Sequence, residues 1–75
     1  MTNYYKLPNT NLYWKIIDET TTVFQVKNDS DAKNISKTTG AIRYNDLIVH
    51  VPTFDVVDET EFNAVLNEVL TGINQ

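Results

Sequence analysis

The chain has 75 residues and a formal charge of −4, with 41% apolar and 11% aromatic residues. That length suits one domain, 1–75, and the apolar content is too rich for a disordered chain. With no cysteine, a disulfide framework, a thiolate metal site and a cysteine nucleophile are all excluded.

In chain order, Tyr4 to Leu7 is a candidate strand that the turn-rich Pro8-Asn9-Thr10-Asn11 could fold back on the next segment. That segment, Leu12 to Asp18, is the clearest strand, with Leu12, Trp14 and Ile16 alternating with Tyr13, Lys15 and Ile17 at the period of a pleated sheet. Thr22 to Asn28 alternates likewise, and Asp18-Glu19-Thr20-Thr21 between them is short enough for a hairpin. Asn28 to Lys33 reads as a polar loop, and Asn34 to Thr39 as a short edge strand ending where Gly40 allows a bend. Ala41 to Tyr44 and Leu47 to Val51 read as strand segments, with Asn45-Asp46 either a turn or a bulge between them, and Pro52 closes the strand.

The C-terminal segment carries the strongest signal. Phe62, Val65, Leu66, Val69, Leu70 and Ile73 fall on one stripe of an α-helix. Asp58 stands at the N-cap with Glu61 three positions on, and Val57 with Phe62 makes a hydrophobic staple. The helix is expected from Glu59 to Thr71, closed by Gly72 in a left-handed conformation. These elements imply an α+β fold: an antiparallel meander of three to five strands with one C-terminal helix packed on one face. Trp14 and Phe24 are expected in the core with Phe62, Leu66 and Val69, and the other sheet face is expected to be open.

Charge is distributed unevenly. All six basic residues lie in the first 43 positions; residues 1–45 sum to +2 and residues 46–75 to −6. If these halves occupy different faces, the molecule is a dipole able to steer a charged partner.

Chemistry-bearing residues are few. His50 is the only side chain whose ordinary pKa lies near neutrality, and it stands at the end of an expected strand. Ser30 and Ser36 lack the strand–turn–helix setting of a nucleophile elbow. Asp29-x-Asp31 starts like a calcium loop, but Lys33, Asn34 and Gly40 occupy positions that need a ligand, a glycine and a glutamate. With only Gly40 and Gly72 available, no phosphate-binding loop can be written. No catalytic residue, metal or cofactor is expected. Tyr13, Lys15, Lys27, Arg43 and Tyr44 could form a base-stacking surface, but the acidic total and the lack of an Arg/Lys cluster disfavour nucleic acid. No leader and no apolar run near the ~20 residues of a membrane span are visible, so no membrane partner and a cytoplasmic location are expected.

The opening Met1-Thr2-Asn3-Tyr4-Tyr5-Lys6-Leu7, with Leu12-Tyr13-Trp14-Lys15-Ile16-Ile17-Asp18-Glu19 after it, resembles the short uncharacterised proteins of tailed phages, particularly those of marine cyanobacteria. The resemblance covers roughly the first 30 residues and implies a small accessory protein acting on a host component or a minor part of the virion.

The functional expectation is a small non-enzymatic module that binds another protein. Two surfaces are candidates: the outer helix face of Asn63, Ala64, Asn67 and Thr71, which carries no cation, and an open sheet face around Tyr13, Lys15 and Lys27. The alternatives are a self-assembling or virion-type structural protein joined through an edge strand, and an acidic mimic of nucleic acid.

Overall fold

The computed structural model describes residues 1–73. Five strands, β1 (Thr2–Lys6), β2 (Leu12–Ile17), β3 (Thr22–Asp29), β4 (Ala32–Thr39) and β5 (Asp55–Val56), form one antiparallel sheet in the order β4-β3-β2-β1-β5. Between β4 and β5 the chain makes helix α1 (Ala41–Ile48) and a short 3-10 turn at Val51–Thr53, and helix α2 (Glu59–Ile73) comes after β5. The fold is α+β, with α2 packed on the sheet as the apolar stripe requires.

The β2–β3 hairpin forms as expected, turning through Asp18–Thr20 and a left-handed Thr21 at φ 47°. β1 extends the expected Tyr4-to-Leu7 strand backwards to Thr2, and Asn9, at φ 64°, supplies the left-handed residue of the turn into β2. β4 is longer than expected. The polar stretch read as a loop shrinks to the two-residue turn Ser30-Asp31, because Asn28 pairs with Lys33 and Asp29 with Ala32.

The second sheet face is covered, which corrects the expectation of an open one. Ala41 to Ile48 is helical, so Asn45-Asp46 is neither turn nor bulge, and no strand runs from Leu47 to Val51. The physical reason is a stripe: Tyr44, Leu47, Ile48 and Val51 recur at helical spacing and pack with Trp14, Ile16 and Val23. Gly40, at φ 140°, makes the bend into this helix. The chain thus crosses one face from the β4 edge to the β5 edge as α1, then crosses the other face as α2.

Two cores result, one on each side of the sheet. Under α2 lie Tyr13, Val26, Phe62 and Val69, with Tyr4, Ile35, Val57, Val65 and Leu66 around them. Under α1 lie Trp14, Ile16, Val23 and Leu47, with Phe54 stacked on Trp14 at 4.5 Å between ring centres. Phe62, Leu66 and Val69 therefore join one core as expected, whereas Trp14 and Phe24 do not join them. Register is the reason: Trp14 pairs with Gln25 and Lys15 with Phe24, so Trp14 and Phe24 point to opposite faces. Phe24 shares the α2 face but lies beyond the helix, half-buried between two lysines.

The start of α2 matches its sequence signals. The Asp58 carboxylate accepts the Glu61 N–H at 2.7 Å, and Val57 packs in the cluster that contains Phe62. Its end differs, because Gly72 is an ordinary helical residue and not the left-handed cap. What Gly72 supplies is room: a Cβ there would come within 2.5 Å of the Lys33 side chain. Lys33 instead lies across the helix and donates to Asn28 Oδ1 at 2.6 Å, while Asn28 donates to Glu68 at 3.0 Å. These contacts fasten the last turns of α2 to the β3–β4 hairpin.

Candidate functional site

The sheet has two unlike edges. β5 closes one with two residues, while β4 leaves the other open along eight. The phase of the β3–β4 ladder is set by one bond, Gly40 N–H to Thr21 O at 3.1 Å. Bonded and non-bonded pairs alternate in an antiparallel ladder, so Ala32, Asn34, Ser36 and Thr38 bond to β3. Lys33, Ile35, Lys37 and Thr39 turn their N–H and C=O groups outward. An exposed row of this kind templates the addition of another strand, and natural proteins usually cover it.

Both helices border this edge. On the α1 face, Thr38, Thr39, Gly40, Ala41, Ile42 and Arg43 enclose a notch of about 290 Å³ beside the strand, and Ile42 in it is 87% exposed. On the α2 face, Glu68 and Gly72 lie on the helix flank that meets Asn28 and Lys33. At about 100° per residue, Leu66, Leu70 and Ile73 lie on the other flank, turned towards the row of Phe24 and Lys37. Leu70 and Ile73 are 43% and 50% exposed. The open backbone row therefore runs between apolar side chains supplied by the first turn of α1 and the last turns of α2.

The charged side chains of β4 are both cationic. Lys33 and Lys37 project to the α2 face with Ile35 between them, and Arg43 projects from α1 over the other face. Lys15 and Lys37 hold their ammonium groups 5.5 and 5.6 Å from the centre of the Phe24 ring, one from each neighbouring strand. Such contacts contribute about 0.5–1 kcal/mol at exposed sites and keep the ring from facing water bare. Arg43 donates to Gln25 Oε1 at 2.9 Å, and the same oxygen accepts the Trp14 indole N–H at 3.2 Å. Gln25 thereby positions a guanidinium above β3.

The residues expected to form an open sheet face do not come together. Tyr13 is 8% exposed beneath α2, Lys15 lies on its face beside Phe24, and Lys27 points to the opposite face, 3.7 Å from Asp29. Burial, followed by the nearby Glu61 and Glu68 charges, raises the Tyr13 pKa. Asn63, Ala64, Asn67 and Thr71 all lie exposed on the solvent side of α2. Tyr44 is held by Asp18, its hydroxyl donating at 2.9 Å, and that bond is the main cause of its raised pKa.

The chemistry-bearing residues are scattered. His50 is exposed after α1, its carbonyl accepting the Thr53 hydroxyl at 2.7 Å. Ser30 lies in the hairpin turn and Ser36 on β4, beside the opposite edge of the sheet from the turn that holds His50. Among the described residues no group of three or more His, Cys, Asp or Glu side chains is placed to hold a metal ion, and no helix is long and apolar enough to cross a membrane. What the arrangement can do is present backbone donors and acceptors, flanked by positive charge, to an extended chain. Comparison with known protein families, curated proteins and solved structures finds no match to this chain.

Proposed function

We propose that the protein is a non-enzymatic interaction module that binds an extended segment of another protein by strand addition at β4. The observation that carries this reading is the open row of N–H and C=O groups on Lys33, Ile35, Lys37 and Thr39, bordered on both faces by exposed apolar side chains of the helices. In this mode main-chain hydrogen bonds supply the affinity, and the side chains beside the strand supply the selectivity. If the chain is a phage accessory protein, the partner is a host protein.

The test is a titration of the 15N-labelled chain with an eight-residue peptide alternating valine and threonine. Amides of Lys33, Ile35, Lys37 and Thr39 should shift and become protected from exchange. Lys37→Pro removes an outward N–H that the sheet itself does not use, a position where an edge strand tolerates proline. It should weaken the peptide about three- to tenfold, the worth of one hydrogen bond. Thr39→Pro repeats the test nearer the strand end should the first variant fail to fold. Unchanged affinity in a folded proline variant, or shifts confined to Asn63, Ala64, Asn67 and Thr71, would overturn the assignment of β4.

A further inference from the structure

Resting on the strand-addition reading, we infer that the segment taken up at β4 is acidic and belongs to a different protein, not to a second copy of this chain. Charge complementarity carries the argument. Lys33, Lys37 and Arg43 flank the open edge, and among the described residues the only side-chain cation within 4.0 Å of a carboxylate is Lys27, beside Asp29. Most acids lie away from the middle of this edge: Asp55 is in β5, at the opposite edge of the sheet, and Asp58, Glu59 and Glu61 cluster at the start of α2. Glu68 meets the Asn28–Lys33 corner at one end, and Asp46 shares α1 with Arg43, which leaves Lys37 as the cation with no acid assigned to it. Asp31, in the hairpin turn at one end of β4, is the acid nearest in sequence to the edge. A partner side chain alongside Lys37 therefore enters a row that already holds Lys15 and Lys37 around Phe24.

Pairing of two copies through this edge is opposed by the same lysines. A two-fold antiparallel pairing sets outward-turned residues against each other. Centred on Ile35, it places Lys33 opposite Lys37 on both sides; centred on Lys37, it places that lysine opposite its own copy. Centred between Ile35 and Lys37, it leaves the Lys37 side chains on a diagonal. Centred between Lys33 and Ile35, it sets Lys37 opposite Asp31, which lies in the hairpin turn outside β4, and so uses only part of the strand. Like charges directly opposite are destabilising, and diagonal long side chains remain within reach. A head-to-tail pairing of β4 with the acidic edge would match eight residues against the two of β5. Lysine on an edge strand is a common device against such self-association.

Lys37 is the residue to test, because Lys33 is committed to Asn28 and lies under the last turn of α2. Three eight-residue peptides alternating valine with glutamate, threonine or lysine are titrated at low salt and at 1 M salt. The glutamate peptide should bind about tenfold tighter than the lysine peptide at low salt, from two cross-strand charge pairs. The difference should shrink at 1 M salt, where the Debye length is about 3 Å. Lys37→Glu should abolish or invert the preference, whereas Lys6→Glu, with the same net charge change on β1, should retain it. Equal or better binding of the lysine peptide overturns the inference, as does a preference untouched by Lys37→Glu. A concentration-dependent dimer that peptide dissociates makes the occupant a second copy and also overturns it. Failure of all three peptides to protect the β4 amides would instead overturn the strand-addition reading itself.

Discussion

Replacing Trp14, Phe54 and Phe62 by leucine, singly and in pairs, tests whether the sheet separates two independent cores. Trp14 is 4% exposed and stacks on Phe54 with centres 4.5 Å apart and planes inclined by 19°; Phe62 is 2% exposed in the other cluster. Leucine retains much of the apolar volume, so each single change should cost about 1–3 kcal/mol. A chain of this size is stable by about 4–11 kcal/mol, taking ~0.05–0.15 kcal/mol per residue, against about 2–6 kcal/mol for a double variant. All variants and the parent are therefore compared in a fixed concentration of stabilising osmolyte that keeps the doubles folded. Loss of the indole does not orphan Gln25, because Arg43 still donates to the same oxygen. Urea unfolding with a constant m-value gives the free energies. Trp14 and Phe54 should couple by about 0.5–1.5 kcal/mol, the range for stacked aromatic pairs. Trp14 and Phe62, which share no cluster, should be additive to within about 0.5 kcal/mol. A Trp14–Phe62 coupling as large as that of Trp14–Phe54 would refute the two-core description.

Local geometry sets three further outcomes. Thr21→Gly should raise the melting temperature, since a β-branched residue at φ 47° bears a cost of about 1–2 kcal/mol that glycine avoids; a lower melting temperature would contradict this. Asp58→Ala should destabilise by about 0.5–2 kcal/mol through loss of the bond to the Glu61 N–H, measured by urea unfolding against the parent. Tyr4 and Tyr13 are raised in pKa first by burial and then by Glu59, and by Glu61 and Glu68, respectively. The folded state thus retains phenol protons that the unfolded chain releases near pH 10. Stability from this source is complete below that pH and is lost as pH rises through the folded-state values. Urea midpoints should therefore fall above about pH 10, and a rise across that window would contradict the burial argument.

How much of the fold can be read from the residues depends on whether a signal is local. α2 is legible because its stripe, its Asp58 cap and its staple agree. α1 is not, although Tyr44, Leu47, Ile48 and Val51 keep helical spacing. The β-branched Ile48, Val49 and Val51 before Pro52 imitate a strand, and only packing against Trp14 and Val23 decides between the two. Grouping Trp14 with Phe24 fails because local alternation does not determine register: sliding a strand by one residue exchanges its faces. The β4 edge leaves a partial trace, in that Lys33, Ile35 and Lys37 alternate at the period of a strand. That this edge remains free depends on β5 joining β1, and two residues, Asp55 and Val56, are too few to announce a strand.

Amide hydrogen exchange along β4, with and without the valine–glutamate peptide, separates an open edge strand from a covered one. In the free chain Asn34, Ser36 and Thr38 should exchange slowly, and Lys33, Ile35, Lys37 and Thr39 rapidly, because only the first set bonds to β3. With peptide bound, the second set should slow to match the first. Uniform protection of both sets in the free chain, or rapid exchange of the second set at saturating peptide, would contradict the assignment of β4 as an open, partner-accepting edge.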